Sequence, residues 1–352
     1  MSDLFKAAVL MTIIFLLITM ADVMTNQLIT KGTKLKSVIT CLVIMAAALG
    51  ELAGVLTNGA SVSLIISHKL AKLVEFSCAP AIGVAAAIAY GDPKRPRLAI
   101  ALAAAHALFE YAVMPFAWVF SIDAQNNYHR EPLYLIYVAA FMLSVAYCFV
   151  SIIRNGRAYQ VDVDIVLVLI LLMLMVGIGI QFVYSEIKID YLCIAIGNML
   201  FCIRYCKIIL QVDAVTHLLN RRCYDVSIAD MGPRAVILYF DVDKFKQVND
   251  TYGHSVGDLC LQQVALQLRN VYRKYGQCYR IGGDEFCVIL HDGLDKVEEL
   301  NRAFTSGIKA MQAEDSRMPN VSIGFAYYDA ATSHMRNVIE EADAMLYRNK
   351  HA

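Results

Sequence analysis

Asp241, Asp284 and Glu285 are the side chains in this sequence whose types and spacing could do chemistry. Asp241 follows the apolar run Ala235–Phe240, which reads as a buried strand delivering Asp241-Val242-Asp243 at its C-terminal end. Asp284 and Glu285 follow Gly282-Gly283, which lie between two short strand-like segments, Cys278–Ile281 and Glu285–His291. Paired glycines favour a tight hairpin turn there. If those strands are neighbours, three carboxylates converge at one end of a sheet. Packed carboxylates repel unless a divalent cation holds them. Mg²⁺ takes one or two carboxylates together with substrate phosphates, and glycines let a planar or phosphate-bearing group approach the backbone. The pattern fits metal-dependent phosphoryl or nucleotidyl transfer. Without a ligand, the same residues would be a solvated acidic turn.

The elements that must position these residues are readable from periodicity. Lys244–Tyr252 reads as a short helix closed by Gly253, and Gly257–Tyr275 as a longer one with Leu261, Val264, Leu268 and Val271 at helical spacing. Leu294–Met311 is helical, Val321–Tyr328 is a strand and Arg336–Lys350 is a final amphipathic helix. The order βαββαβ describes an α+β ferredoxin-like core.

The rest of the chain is of another kind. Of the first 210 residues 27 are charged, against 35 of the last 142, although the whole chain of 352 carries 31 basic and 31 acidic side chains. That split places an all-α transmembrane bundle at 1–210 and a soluble domain at 211–352. Seven stretches approach the length of about 20 apolar residues that a span needs: Leu4–Met24, Ser37–Thr57, Val74–Tyr90, Leu98–Phe120, Pro132–Ile153, Asp164–Tyr184 and Tyr191–Leu210. The third is short unless Ser61–Lys72 before it joins it or lies at the interface. The first lacks the small-residue cleavage site of a signal peptide. Lys31, Lys34, Lys36, Lys94, Arg95, Arg97, Arg154, Arg157, Arg204 and Lys207 fall in the first, third and fifth loops and at the end of span seven, all on one side, which sets the N-terminus outside and the soluble domain in the cytoplasm. Trp118 and Phe120 fit an interfacial belt at the outer end of span four. Acidic groups inside spans are expensive. Asp22, Glu51 and Glu110, with His106 one turn before Glu110, are candidates for a polar sensor pocket with an unnamed ligand; interhelical hydrogen bonding would equally place them there. Only Gln211 and Val212 separate span seven from the soluble part, so the last helix is expected to continue into it as a stiff junction. The ten cysteines form no CxxC pair and read as buried apolar residues of a reducing compartment. Zero net charge without a basic run gives no footprint for nucleic acid.

The sequence Arg280-Ile281-Gly282-Gly283-Asp284-Glu285-Phe286 resembles the signature of the GGDEF family of bacterial diguanylate cyclases. The resemblance covers about residues 213–350. It includes Asp241 through Lys246, Val248-Asn249-Asp250, Gly253-His254 and Gly257-Asp258, a lead-in motif of Asp213–Thr216 with Asn220-Arg221-Arg222, and the late positions Ser322-Ile323-Gly324, Ala342-Asp343, Tyr347 and Lys350. It implies a homodimer in which each domain holds one GTP and each 3′-hydroxyl attacks the other α-phosphate, giving cyclic di-GMP and two pyrophosphates. Carried over, Asp241, Asp284 and the carbonyl of Val242 hold Mg²⁺ or Mn²⁺. Asp284 and Glu285 assist removal of the hydroxyl proton. Asn249 and Asp258 read guanine with support from His254, and the backbone of Lys244 and Phe245, Gly282, Gly283 and the side chain of Lys350 meet the phosphates. The whole is expected as a multi-pass protein of the bacterial inner membrane, with the lipid bilayer as a further partner.

Three departures from the family pattern stand out. His217 occupies a position where the lead-in motif usually has Gly. The family's product-inhibition pair would be Arg273 and residue 276, which is Gly276, so feedback inhibition is expected to be weak. The chain stops at Ala352, leaving no room for a basic residue that often follows the terminal lysine. A silent GTP-binding module that signals by contact is the rival expectation, disfavoured by the intact Asp241, Asp284 and Glu285. A transporter is disfavoured because no inverted repeat is visible.

Overall fold

The apolar stretches of the first 210 residues fold into helices whose bounds differ from the hydropathy reading. The computed structural model describes residues 3–159, 165–184 and 187–351. It divides into two compact units, Met1–Ile209 and Leu210–Ala352.

The first unit contains α1 (Asp3–Thr25), α2 (Lys31–Thr57), α3 (Ile65–Tyr90) and α4 (Pro96–Val113), then a two-stranded hairpin of β1 (Phe120–Ile122) and β2 (Tyr128–Arg130). It continues with α5 (Tyr134–Ala158), α6 (Ile165–Val183) and α7 (Asp190–Gln211). Six of these helices are long and apolar enough to cross a bilayer; the described apolar part of α6, Ile165–Gln181, is shorter. Asp164, where the sixth span was expected to begin, lies outside the described residues. α2 starts before Ser37 because Thr30 caps it, accepting from the Thr33 N–H at 3.3 Å. Lys31, Lys34 and Lys36 are therefore helical and not in a loop. The third segment is long, since α3 follows a single 3-10 turn at Val62–Leu64. The fourth ends earlier than expected: Ala117 takes a left-handed φ of 52° that stops the helix, and Phe120 enters β1. α7 ends at Gln211, and Val212 immediately pairs with Leu219, so the expected continuation stops there without a linker. Leu16, Ile44, Ala87, Cys148, Ile170 and Phe201 are among the buried residues that form the core.

The second unit contains α8 (Arg221–Ala229), β3 (Arg234–Val242), α9 (Phe245–Tyr252), α10 (His254–Tyr272), β4 (Gly276–Arg280), β5 (Glu285–Leu290), α11 (Val297–Glu314), β6 (Val321–Asp329) and α12 (Met335–Lys350). The sheet order is β4-β5-β3-β6, and every neighbouring pair is antiparallel. β3 is buried at eight of its nine positions. Alternate side chains reach opposite faces: Val236, Leu238 and Phe240 pack with α10 and α11, while Ile237 and Tyr239 pack with α8 and α12. A continuous apolar run in β3 is the consequence of helices on both faces, a second helical layer that the βαββαβ reading did not include. α12 lies directly on β6 at Gly324, where a Cβ would collide with the backbone of Ala342 and Leu346. None of the ten cysteines is in a disulfide. Burial pushes Cys278 up to about 12 and Cys287 well above its ordinary value, which leaves both as inert thiols.

Candidate active site

The register of β3 and β5 builds the centre of the site. Asp241 faces Glu285 across the ladder, and the Val242 N–H donates to the Asp284 carbonyl at 3.1 Å. Two carboxylate-bearing segments more than forty residues apart are thus fastened by main-chain bonds at one end of the sheet. The full convergence of three carboxylates is not seen: among the described residues no three His, Cys, Asp or Glu side chains close on one point. Asp243, adjacent in sequence, turns elsewhere. Its oxygens accept from Ser322 Oγ at 2.8 Å and Asn320 Nδ2 at 2.9 Å, and this brackets the start of β6 against the end of β3.

Lys350 reaches this centre from α12, with Nζ 2.6 Å from Asp241 Oδ1. The hydrogen bond to Asp241 raises the Lys350 pKa, with smaller support from the charges of Asp284 and Asp243. Asn349 fixes the same helical turn by donating to the Ile323 carbonyl at 2.7 Å.

The hairpin carrying Gly282 and Gly283 is closed by the N–H groups of Ile281 and Gly282, which donate to the Glu285 carbonyl at 3.0 and 3.3 Å. Neither glycine is among those with positive φ, so the hairpin closes without a left-handed glycine. The connection is the four residues between β4 and β5. Their role is space: a Cβ at Gly282 would strike the Glu285 side chain, whereas Gly283 faces an open region.

Arg280 ties this hairpin to the lead-in turn, which the residue-by-residue reading missed. Its Nη2 donates to the Gly283 carbonyl at 2.7 Å and its Nη1 to Asp213 Oδ1 at 2.9 Å. Asp213 Oδ1 also accepts from the Thr216 N–H at 2.8 Å and Thr216 Oγ1 at 2.7 Å. Burial raises the Asp213 pKa, but the bonds from Arg280 and Thr216 outweigh it and hold the carboxyl below its ordinary value. Both residues stood in the motifs already noted. Only the bridge from Leu219 to Tyr279 brings them together. His217, within this turn, adopts a left-handed φ of 57°, the conformation glycine takes most easily.

Lys244 also has a left-handed φ, 54°, and caps α9, whose first turn begins at Phe245. The first N–H groups of a helix lack intrahelical partners and suit an anion. Asn249 lies half-buried on α9. His254 and Asp258, both exposed, share one face of α10, which starts at His254 and not at Gly257. Arg273 caps the end of α10 and Gly276 opens β4. A Cβ at 276 would collide with the Ile289 carbonyl.

The sensor candidates of the first unit have different surroundings. Glu51 is buried and paired with Lys188 at 2.8 Å. His106 Nε2 is 3.4 Å from Glu110 Oε1 on α4, and Asp22 is exposed on α1.

Residues 210–352 match the family model described as diguanylate cyclase, GGDEF domain. The chain is 34% identical over 149 residues to the diguanylate cyclase DosC of Escherichia coli K12, a match covering 39% of this chain and 32% of that protein. It is 31% identical over 153 residues to an uncharacterized membrane protein of Staphylococcus aureus USA300, covering 39% and 42%. The chain thus spans less than half the length of these relatives. The solved GGDEF domain of DgcB from Caulobacter crescentus in complex with c-di-GMP is 27% identical, with a TM-score of 0.36, over 40% of this chain and 90% of that one. Residues 210–352 thus carry a GGDEF domain, preceded by apolar helices consistent with a membrane region.

Proposed function

We propose that the protein is a membrane-bound diguanylate cyclase whose helical unit senses a signal and whose GGDEF domain converts two GTP into cyclic di-GMP and two pyrophosphates. The observation that carries the reading is the register that sets Asp241 opposite Glu285, with Asp284 bonded through its carbonyl to Val242. The order β4-β5-β3-β6 supports a ferredoxin-like core beneath it.

The donors present suit a hard divalent cation. Asp241, Asp284 and the Val242 carbonyl would hold Mg²⁺ or Mn²⁺, and the Lys350 ammonium already stands on Asp241 as a cation in that position. When bound, the metal supplies charge stabilisation at the reacting phosphate. The residues of the chain do the rest. The N–H groups at the start of α9 hold the outer phosphates, and the open region at Gly283 admits them. Asn249 and Asp258 select guanine, since a carboxylate accepts from its N1–H and N2–H together. Asp284 and Glu285 take the proton of the 3′-hydroxyl that attacks the α-phosphate of the second GTP, held by the partner domain of a homodimer. Basic residues gathered on one side of the spans support an N-terminus outside and a cyclase in the cytoplasm.

Full-length protein in lipid nanodiscs, given GTP and Mg²⁺, is expected to release pyrophosphate and form cyclic di-GMP, and Asp284→Asn to abolish both with the fold retained. GTP binding without release by the wild type would instead identify a silent nucleotide-binding module.

A further inference from the structure

The seven-helix unit contains an open polar cavity that the cyclase reading leaves unused. Its volume is about 730 Å³, and it is lined by residues of α1, α2, α3, β2, α5 and α6 together with Lys188. That is within the range of about 300–1,000 Å³ typical of small-molecule sites.

Three cations belong to it. Lys72 is buried and held by Glu75 at 2.7 Å, with its ammonium 4.9 Å from the Tyr128 ring. Lys188 is held by Glu51 at 2.8 Å, and Gln181 Nε2 donates to the same oxygen at 3.1 Å. Arg130 lies over the Tyr134 ring at 4.9 Å and has no ion pair among the described residues. Among the described lining residues Glu75 is the one carboxylate, beside Lys72, Arg130 and Lys188, and Glu51 holds Lys188 from outside the lining. Arg130 is exposed, so its charge is solvated, and an incoming anion would add a charge-assisted bond to it. Lysine and arginine also keep spare N–H donors after these bonds are made, and a carboxylate accepts from them in the strongest geometry.

His68 supplies the independent observation. Its ring lines the cavity and is fully buried. Nδ1 is bonded to Asn126 Oδ1 at 3.0 Å, while Nε2 has no hydrogen-bond partner. Asn126 in turn donates to the Thr57 carbonyl at 2.7 Å, so the ring's orientation is fixed. A buried nitrogen held in place without a partner is uncommon in folded proteins. Tyr128 and Tyr134 add aromatic wall.

We propose that this cavity binds a small organic carboxylate with a second hydrogen-bonding group, of amino-acid or hydroxy-acid size. The carboxylate pairs with Arg130 and the lysines, and the second group reaches His68. A single guanidinium without an ion pair among the described residues, that of Arg130, matches a monoanion better than a phosphate, which carries about 1.5 to 2 negative charges at neutral pH. The inference gives the sensor of the proposed cyclase a ligand class, and it rests on that reading only for its regulatory meaning.

The test uses full-length protein in nanodiscs with glycine, L-glutamate, L-phenylalanine and lactate as probes, and methylamine and inorganic phosphate as comparisons. Melting temperature and GTP turnover are read separately. At least one carboxylate is expected to raise the melting temperature saturably. Arg130→Gln, and independently Lys188→Gln, should weaken its apparent affinity by about tenfold or more, as loss of a charge-assisted bond implies. Arg154→Gln, twenty residues along α5 from Tyr134 and so about 30 Å away, should not. Absence of any saturable shift, persistence of the shift in both cavity variants, or equal shifts from methylamine or phosphate would overturn the site. A saturable shift that leaves GTP turnover unchanged supports the site and removes only the sensor reading.

Discussion

Lys350 Nζ stands 2.6 Å from Asp241 Oδ1, across 109 residues of chain. The contact exists because Gly324 lets α12 lie against β6 and because Asn349 fastens the last helical turn. A carboxylate proposed to hold a metal is thus already compensated by a cation of the chain itself.

Metal binding at Asp241 would therefore displace Lys350, freeing its charge for substrate phosphate. Lys350→Met is expected to tighten Mg²⁺ binding in the absence of nucleotide while raising the KM for GTP several-fold. Calorimetric titration of the metal and steady-state kinetics check the two halves. Weaker metal binding in the variant would contradict the displacement. The pKa of Lys350 is raised, so its ion pair contributes stability below the ordinary lysine value and loses it as pH rises through the higher folded value. The pair is partly exposed, and the alkaline effect should be small and salt-sensitive.

Asp213 and Arg280 behave in the opposite sense. The folded pKa of Asp213 lies below its ordinary value, so its stabilisation is present above the ordinary carboxylate range and is lost as pH falls through the lower value. Asp213→Asn should cost about 1.5–3 kcal/mol, the scale of hydrogen bonds to a charged group, and should flatten the acid limb of the stability profile. Chemical denaturation between pH 2 and 7 measures both. An unchanged acid limb would mean that Arg280 does not depend on Asp213.

His217 pays for a left-handed backbone. His217→Ile is expected to lose about 1–2 kcal/mol, because a β-branched residue is poorly accommodated there. His217→Gly should retain or slightly raise stability. Thermal unfolding compares them, and equal stability of the Ile and Gly variants would show that the turn relaxes.

Gly276 stands where a feedback site would need a carboxylate, and the Ile289 carbonyl leaves no room for one. Saturating cyclic di-GMP is expected to leave the rate of pyrophosphate release unchanged. Gly276→Asp should destabilise the domain without creating feedback control. Strong inhibition of the wild type would sink this expectation.

The sequence by itself determined the compositional break near residue 210, the helical character of what precedes it and the strand and helix order from β3 onward. Each of these depends on local periodicity or composition, which persists in any packing. It also displayed Asp241, Asp284 and Glu285, because they sit at the ends of readable apolar runs. Tertiary structure alone decided the register that opposes Asp241 to Glu285, since pairing by one residue more or less would turn every side chain to the other face. It likewise decided the placement of Lys350 on Asp241 and of Arg280 on Asp213, contacts spanning 109 and 67 residues. The cavity was hidden for the same reason. Lys72 and His68 read as an interfacial approach to a short span. Only the packing of α2, α3, β2 and the segment before α7 shows them to be walls of one site with Arg130 and Lys188.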